Sequence, residues 1–312
     1  MHYILGVDGG GTKTVVRIAD VNGVTVSEYI AGAGNYKKAG MELAEKNITG
    51  GVLGAIKQTA VDAENIFFSS ACFGLSGLDS EQDEQIYKKM IFDSQIKKYI
   101  DLKKTIICND SRVGLAAGSD SKNGIMIICG TGSNCFGINE EGREAKANGW
   151  DYILGDEGSA YDIGIRALRA VTKAHDGRGR KTLLSKTILN ELKLDNVTDL
   201  IDWCYKTPFS CERFADLTKV VCKTAELGDI ISIRLLKDEA KEALASIDVV
   251  AGKLNFKDRE FDIVFVGSVF RCEKYFRQVL TDKLKKTYPK IKFAHLNDKP
   301  VSGAIKMALK NL

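Results

Sequence analysis

The sequence predicts an α/β protein made of two duplicated domains, and two segments of one construction carry that prediction. Residues 4 to 14, ILGVDGGGTKT, run an apolar strand into one aspartate, three consecutive glycines, and then hydroxyl and lysine side chains. Residues 125 to 138, IMIICGTGSNCFGI, again run apolar strand, glycine and hydroxyl turn, then strand. Each is followed by a further turn, VNG at 21 to 23 and EEG at 140 to 142. A 312-residue chain is long enough for about two domains, so the repetition fits an internal duplication that presents two facing phosphate loops.

The first turn has the chemistry for an anion. Without Cβ atoms, Gly9, Gly10 and Gly11 let the backbone approach a phosphate and turn N–H groups toward it, and Thr12 can add a hydroxyl donor. Asp8, at the strand end, is placed to hold Mg²⁺ through water, because magnesium takes one or two carboxylates together with phosphate oxygens. Taken alone, the segment is also compatible with a glycine-rich hairpin turn. It is neither a P-loop nor a dinucleotide fingerprint: no G-K-[ST] follows at Walker spacing, and VVRIADVNGVTV reads as another strand instead of a helix.

Apolar runs give the strands and 3.6-residue recurrence gives the helices. In the first half the strands fall at 3 to 8, 13 to 20 and 24 to 30, followed by a helix over about 39 to 60. A strand IFFSSACFG and a helix near 80 to 98 come next, and then a strand TIICND that leads into the helix SRVGLAAGS. The second half opens with the duplicated hairpin at 124 and the loop NGWDYILGDEGSAY, and continues as a long helical tract over about 158 to 250. A strand FDIVFVGSVF, a helix EKYFRQVLTDKL and a last strand KIKFAHL lead through Pro300 into the terminal helix VSGAIKMALKNL. With only three prolines and no Ser/Gly-rich linker, the junction is expected as a short hinge at GSDSKNG, 118 to 124. This gives domains of 1 to 120 and 121 to 299, with the helix 300 to 312 packing back on the first.

Composition excludes several classes. A 44% hydrophobic, 28% charged chain can bury a sizeable core, and a net charge of +4 with scattered lysines argues for solvated faces and against a nucleic-acid partner. No charged-then-apolar leader and no run of membrane-spanning length is seen, so the expectation is a cytoplasmic protein with no membrane partner. The eight cysteines, at 72, 108, 129, 135, 204, 211, 222 and 272, show no C-x-x-C spacing and are expected as reduced, mostly buried thiols. His2, His175 and His295 neighbour no nucleophile, which leaves Ser-His or Cys-His catalysis unsupported.

Together these residues resemble the sugar kinase, heat-shock chaperone and actin superfamily, and more narrowly its BadF/BcrA-type ATPase branch, which includes N-acetylglucosamine kinase. The resemblance spans nearly the whole chain through ILGVDGGGTKT, IICGTGSN, FDIVFVGSVF, DSRVGLAAG and VSGAIKMAL. NGWDYILGDEGSAY, GAGN at 32 to 35 and GLSGLD at 74 to 79 are the stretches specific to the amino-sugar kinases. It implies two ribonuclease H-like (actin-like ATPase) domains with a cleft between them, with ATP and Mg²⁺ as cofactors. It assigns Gly10, Gly11, Thr12 and Lys13, then Gly130, Thr131, Gly132 and Ser133, to the nucleotide's phosphates, Gly267 and Ser268 to adenosine, and Asp8 to the metal. Asp110 is the implied base that accepts the sugar hydroxyl proton. Asn35, Gly149, Trp150, Asp156 and Thr131 are implied to hold the sugar, where amide and carboxylate groups meet hydroxyls and an indole face meets a ring.

Each assignment has a structural counterpart. Asp110 before SRV also suits a helix N-cap, Trp150 a core position, and Glu157 the N-terminus of a helix beginning near Ser159. One departure from the kinase pattern is visible: relatives carry Gly-Gly-Trp where this chain has Asn148-Gly149-Trp150, which puts acetyl recognition by the loop backbone in question.

The expected function is an ATP-dependent kinase for the 6-hydroxyl of N-acetylglucosamine or a close relative, with a homodimer left open. Lys37 and Lys38, just after Asn35, are either solvated charges or partners for an acidic sugar such as N-acetylmuramic acid. The alternative is the ATPase activator of a radical 2-hydroxyacyl-CoA dehydratase or aryl-CoA reductase, for which Cys108 or Cys129 would have to ligate a cluster shared by two subunits. A repressor or chaperone reading is disfavoured, because no helix-turn-helix precedes the first strand and no peptide-binding domain follows the last.

Overall fold

The structure is a computed structural model that describes residues 2 to 296 and 298 to 312. The chain divides into two compact units, Met1–Asp120 with Ala294–Leu312, and Ser121–Phe293.

The first unit opens with β1 (His2–Gly9), β2 (Lys13–Ala19) and β3 (Thr25–Gly32), and continues with the single-turn helix α1 (Tyr36–Ala39) and α2 (Met41–Lys57). β4 (Phe67–Leu75), α3 (Glu81–Phe92), β5 (Thr105–Cys108) and α4 (Asp110–Gly118) follow. The sheet order is β3-β2-β1-β4-β5, antiparallel across the two hairpins and parallel from β1 through β4 to β5. β1 therefore lies at the centre, which is why its run of Tyr3, Ile4, Leu5 and Val7 is buried on both faces. α3 ends at Phe92, short of the expected 98. Asp93 and Ser94 offer the backbone competing bonds, and the chain goes on as a 3₁₀ turn over Gln95–Tyr99.

The second unit repeats the plan with β6 (Gly124–Cys129), β7 (Ser133–Ile138) and β8 (Glu144–Ala147). The expected helical tract is six helices: α6 (Ala160–His175), after a short α5 (Asp151–Leu154), then α7 (Leu184–Leu192), α8 (Leu200–Tyr205), α9 (Cys211–Ala215), α10 (Leu217–Glu226) and α11 (Ile230–Lys253). It is broken where the backbone leaves the helical region or a proline enters: Gly177 at φ 78°, Lys193 in the left-handed region, Pro208, and Gly228 at φ 90°. β9 (Phe261–Val266), α12 (Gln278–Thr287) and β10 (Ile291–Ala294) complete a sheet of order β10-β9-β6-β7-β8. Numbered by appearance within its own half, each sheet reads 3-2-1-4-5, so the duplication seen as two similar turns extends to the whole topology.

α13 (Val301–Lys310) packs on α4 and β1 of the first unit, burying Ala304, Ile305 and Ala308 with Ile4, Cys72 and Val113. It approaches so closely that a Cβ on Gly303 would stand 2.6 Å from the Ala117 nitrogen. In the second unit Cys222 and Cys272 form a disulfide, with Cα atoms 5.6 Å apart. This corrects the expectation that all eight cysteines are thiols. The partners are 50 residues apart, so chain folding and not local spacing brings them together. Among the described residues no helix is long and apolar enough to cross a membrane.

Candidate active site

Asp8 is the last residue but one of β1, its backbone paired with Val15 on one side and Gly74 on the other. The turn after it closes through the Gly10 N–H, which donates to the Lys13 carbonyl at 2.9 Å. Two more bonds fasten the turn to the GAGN and GLSG segments: Gly34 N–H donates to the Gly10 carbonyl at 3.0 Å and Ser76 N–H to the Gly9 carbonyl at 2.8 Å. Gly10, Gly11, Thr12 and Lys13 thus form one compact turn.

Asp110 is the first residue of α4 and not its cap. Asn109 holds that position, accepting from Ser111 N–H at 2.9 Å and donating to the Leu78 carbonyl at 3.0 Å. Burial first and the Asp110 charge second, with Lys13 opposing both, raise the Asp8 carboxyl to about 7. Two carboxylates that feel each other beside the glycine turn form a donor set that a divalent cation would relieve. The residues therefore fit Mg²⁺.

Asn35 is buried and already employed. Its Oδ1 accepts from the Lys37 and Lys38 amides at 2.9 and 3.3 Å, capping α1, and its Nδ2 donates to Ser76 Oγ at 3.3 Å. The two neighbouring lysines separate cleanly. Lys37 Nζ donates to Asp83 at 2.9 Å and to Asp79 at 3.4 Å, whereas Lys38 lays its methylenes over Gly11, its Cδ 3.4 Å from where a Cβ would stand. Asp83 is a hub that sequence reasoning missed, although Ser80 three residues ahead is a capping signal. Burial alone would raise its pKa. Bonds from Tyr36 Oη, Lys37 Nζ, the Asp79 amide and Ser80 Oγ outweigh burial and hold it well below the usual carboxylate range.

In the second unit, Gly130 N–H closes its turn on the Gly132 carbonyl at 2.9 Å. The GDEGSAY run wraps this turn. Ala160 N–H donates to the Gly130 carbonyl at 2.8 Å, Tyr161 N–H to the Thr131 carbonyl at 3.2 Å, and Ser133 N–H to Asp156 Oδ1 at 3.2 Å. Gly267, at φ 116°, follows β9 directly against the turn, where a Cβ would sit 2.7 Å from the Gly130 nitrogen. The expected strand through GSVF stops here, and Ser268–Arg271 form a 3₁₀ turn instead.

Trp150 is 71% exposed, which corrects the core alternative, while Asp156 is buried at φ 67°. Gly149 lies against Asn134. One further residue escaped the sequence reading, and another, Asn148, was noted there without a role. Glu239 of α11, fully buried, accepts from Gly158 N–H at 2.7 Å and from the Arg166 guanidinium, and burial with Asp162 nearby pushes its carboxyl up to about 8. Asn148 ties the 149 to 156 loop to Ser133. Glu239 left no local signal, because its partners are 81 and 73 residues away.

The structure thus gathers Asp8, the first turn, Asn35 and Asp110 in the first unit. In the second it gathers Gly130, Thr131, Gly132, Ser133, Asp156, Gly267 and Ser268, with Gly149 and Trp150 on the adjoining loop. Cys108 and Cys129 are buried, and a thiolate shared between two subunits has to reach the surface. Among the described residues no group of three or more His, Cys, Asp or Glu could hold a metal.

Two sheets of one topology, each with a glycine and hydroxyl turn at the end of its central strand, define a duplicated phosphate-binding ATPase fold. The chain belongs to the BadF/BadG/BcrA/BcrD ATPase family, whose model matches residues 5–309. It is 33% identical over 308 residues to an N-acetylmuramic acid/N-acetylglucosamine kinase of Clostridium acetobutylicum, covering 99% of this chain and 98% of that one. It is 35% identical over 317 residues to an N-acetyl-D-glucosamine kinase of Dictyostelium discoideum, again covering 99% and 98%. A solved structure from Chromobacterium violaceum, provisionally named an N-acetylglucosamine kinase, shares the fold with a TM-score of 0.74 at 23% identity, covering 98% of both chains.

Proposed function

We propose that this protein is an ATP-dependent kinase that phosphorylates an amino sugar at its 6-hydroxyl, N-acetylglucosamine or a close relative. The observation that carries the reading is Asp110 at the head of α4, electrostatically coupled to Asp8 at the phosphate turn, with Asn109 taking the capping role. That leaves a carboxylate at a helix N-terminus, where negative charge is favoured, to accept the proton of an attacking hydroxyl. Phosphoryl transfer asks the protein mainly to position groups and stabilise charge, and the turns at Gly10–Lys13 and Gly130–Ser133 offer backbone and hydroxyl donors for the ATP phosphates. Asp8 would hold Mg²⁺, which when bound neutralises phosphate charge. Gly267 and Ser268 would border adenosine. Asn35, Thr131, Gly149, Trp150 and Asp156 would hold the sugar, Trp150 offering its exposed face to the ring and Asp156 a carboxylate to the hydroxyls.

Full-length likeness to two named amino-sugar kinases supports the substrate class. The two compact units support domains of 1 to 120 and 121 to about 293, with the last strand in the second sheet and the terminal helix joining the first. The test is an ATP-dependent phosphorylation screen over glucosamine, N-acetylglucosamine, N-acetylmannosamine, N-acetylmuramic acid and glucose, with the product position read by NMR. Sugar-dependent ADP release and a 6-phosphate are expected. Sugar-independent hydrolysis by an iron-containing protein would overturn the reading in favour of the activator.

A further inference from the structure

Asn148 follows β8 with φ 63°, a left-handed conformation that asparagine tolerates better than most residues. Its side chain makes four bonds. Oδ1 accepts from the Gly149 amide at 2.8 Å and from the Asp156 amide at 3.0 Å, closing the 149 to 156 loop at both ends. Nδ2 donates to Ser133 Oγ at 2.9 Å and to the Glu157 carbonyl at 3.0 Å. Ser133 Oγ in turn donates to the same Glu157 carbonyl at 2.8 Å, while Ser133 N–H donates to Asp156 Oδ1. At the loop's tip Trp150, Ile153 and Leu154 are 71%, 76% and 77% exposed, while Tyr152 packs its ring on Tyr161 and Phe209, with centroids 5.3 and 5.2 Å apart. Packing of Tyr152 holds the middle of the loop, and Asn148 fixes both of its ends.

We propose that Asn148 is the positioning residue that fixes the sugar loop to the second phosphate turn, with its two amide atoms doing separable jobs. Oδ1 holds the loop in the form that presents Gly149, Trp150 and Asp156. Nδ2 joins that loop to Ser133, so that disorder on the sugar side reaches the nucleotide side. Both statements rest on the proposed assignment of residues 149 to 156 to the sugar and 130 to 133 to phosphate.

Two substitutions divide the jobs. Asn148→Gly keeps the backbone conformation without strain and removes all four bonds. Asn148→Asp keeps an acceptor for Gly149 and Asp156 but sets a carboxylate oxygen against the Glu157 carbonyl. The measurements are KM for N-acetylglucosamine, KM for ATP, affinity for a non-hydrolysable ATP analogue by calorimetry, and the thermal midpoint. In Asn148→Gly the sugar KM is expected to rise about ten-fold and analogue affinity to fall about three-fold, with the midpoint within a few degrees of wild type. In Asn148→Asp the sugar KM is expected within about two-fold of wild type, while analogue affinity falls as in the glycine variant. Unchanged sugar KM in Asn148→Gly, or equal rises in both variants with a matching loss of stability, overturns the proposal. Failure of the kinase assignment shows separately, as wild type without sugar-dependent ADP release, and removes the sugar half with it.

Discussion

Replacing Asp110 with asparagine tests the chemistry and the electrostatics of the first turn at once. The amide keeps the side chain's shape, and α4 keeps its cap because Asn109 supplies it. Loss of a general base costs roughly 10² to 10⁴-fold in turnover. The second readout is stability. Asp8 has a folded pKa raised from 3.8 to about 7, so the folded state holds its proton more tightly than the unfolded chain. That contribution is fully present below the unfolded value and is lost as pH rises to the folded one, and the distance from 3.8 to about 7 corresponds to about 4 kcal/mol. Burial is the larger cause and survives the substitution, while the Asp110 part disappears. In metal-free Asp110→Asn the fall in stability across this window should be shallower than in wild type. Denaturant unfolding at several pH values reads the slope, and ADP release reads the turnover. Near-wild-type turnover in a folded variant would refute the base assignment, and an unchanged slope would refute the coupling of the two carboxylates.

Gly303→Ala should destabilise the protein by about 3 kcal/mol in denaturant unfolding, because its new methyl meets the backbone of Val113 and Ala117, which cannot rotate away. A loss under about 1 kcal/mol would mean that α13 shifts freely on α4. Among the described residues Thr14 Oγ1 is buried with no hydrogen-bond partner, so Thr14→Val should stabilise by about 1 kcal/mol, a result read as a higher thermal midpoint and contradicted by a lower one. Lys37 is already neutralised by Asp83 and Asp79, so Lys37→Met should leave the ratio of kcat/KM for N-acetylmuramic acid and N-acetylglucosamine unchanged. Lys38→Met should lower that ratio roughly ten-fold, since a charge-assisted bond to the lactyl carboxylate is worth about that much, and an unmoved ratio would make Lys38 a solvated charge.

The two glycine turns, the strands that feed them, and Asp110 between TIICN and SRV were readable because each rests on local chemistry: an apolar run that must be buried, glycines that admit an anion, and an aspartate before a helix. The duplication was readable for the same reason, since repeated local signals survive in order along the chain. The helical tract of the second unit was readable only as helix. Its six pieces depend on breaks at Gly177, Lys193, Pro208, Asp216 and Gly228 within helix-compatible sequence.

What tertiary structure alone decided is how side chains distant in sequence are used. Asn35, implied to hold the sugar, is also the cap of α1, and of the two roles open to Asp110 the cap falls to Asn109. Lys37 and Lys38, adjacent and chemically identical, part company because Asp83 of α3 reaches one and Gly11 lies under the other. Glu239, Asn148 and the Cys222–Cys272 pair take their roles from partners at 81, 15 and 50 residues' separation. Backbone chemistry is local and so is written in the sequence. Hydrogen-bond partnership requires atoms within about 3 Å, and only the folded chain sets that distance.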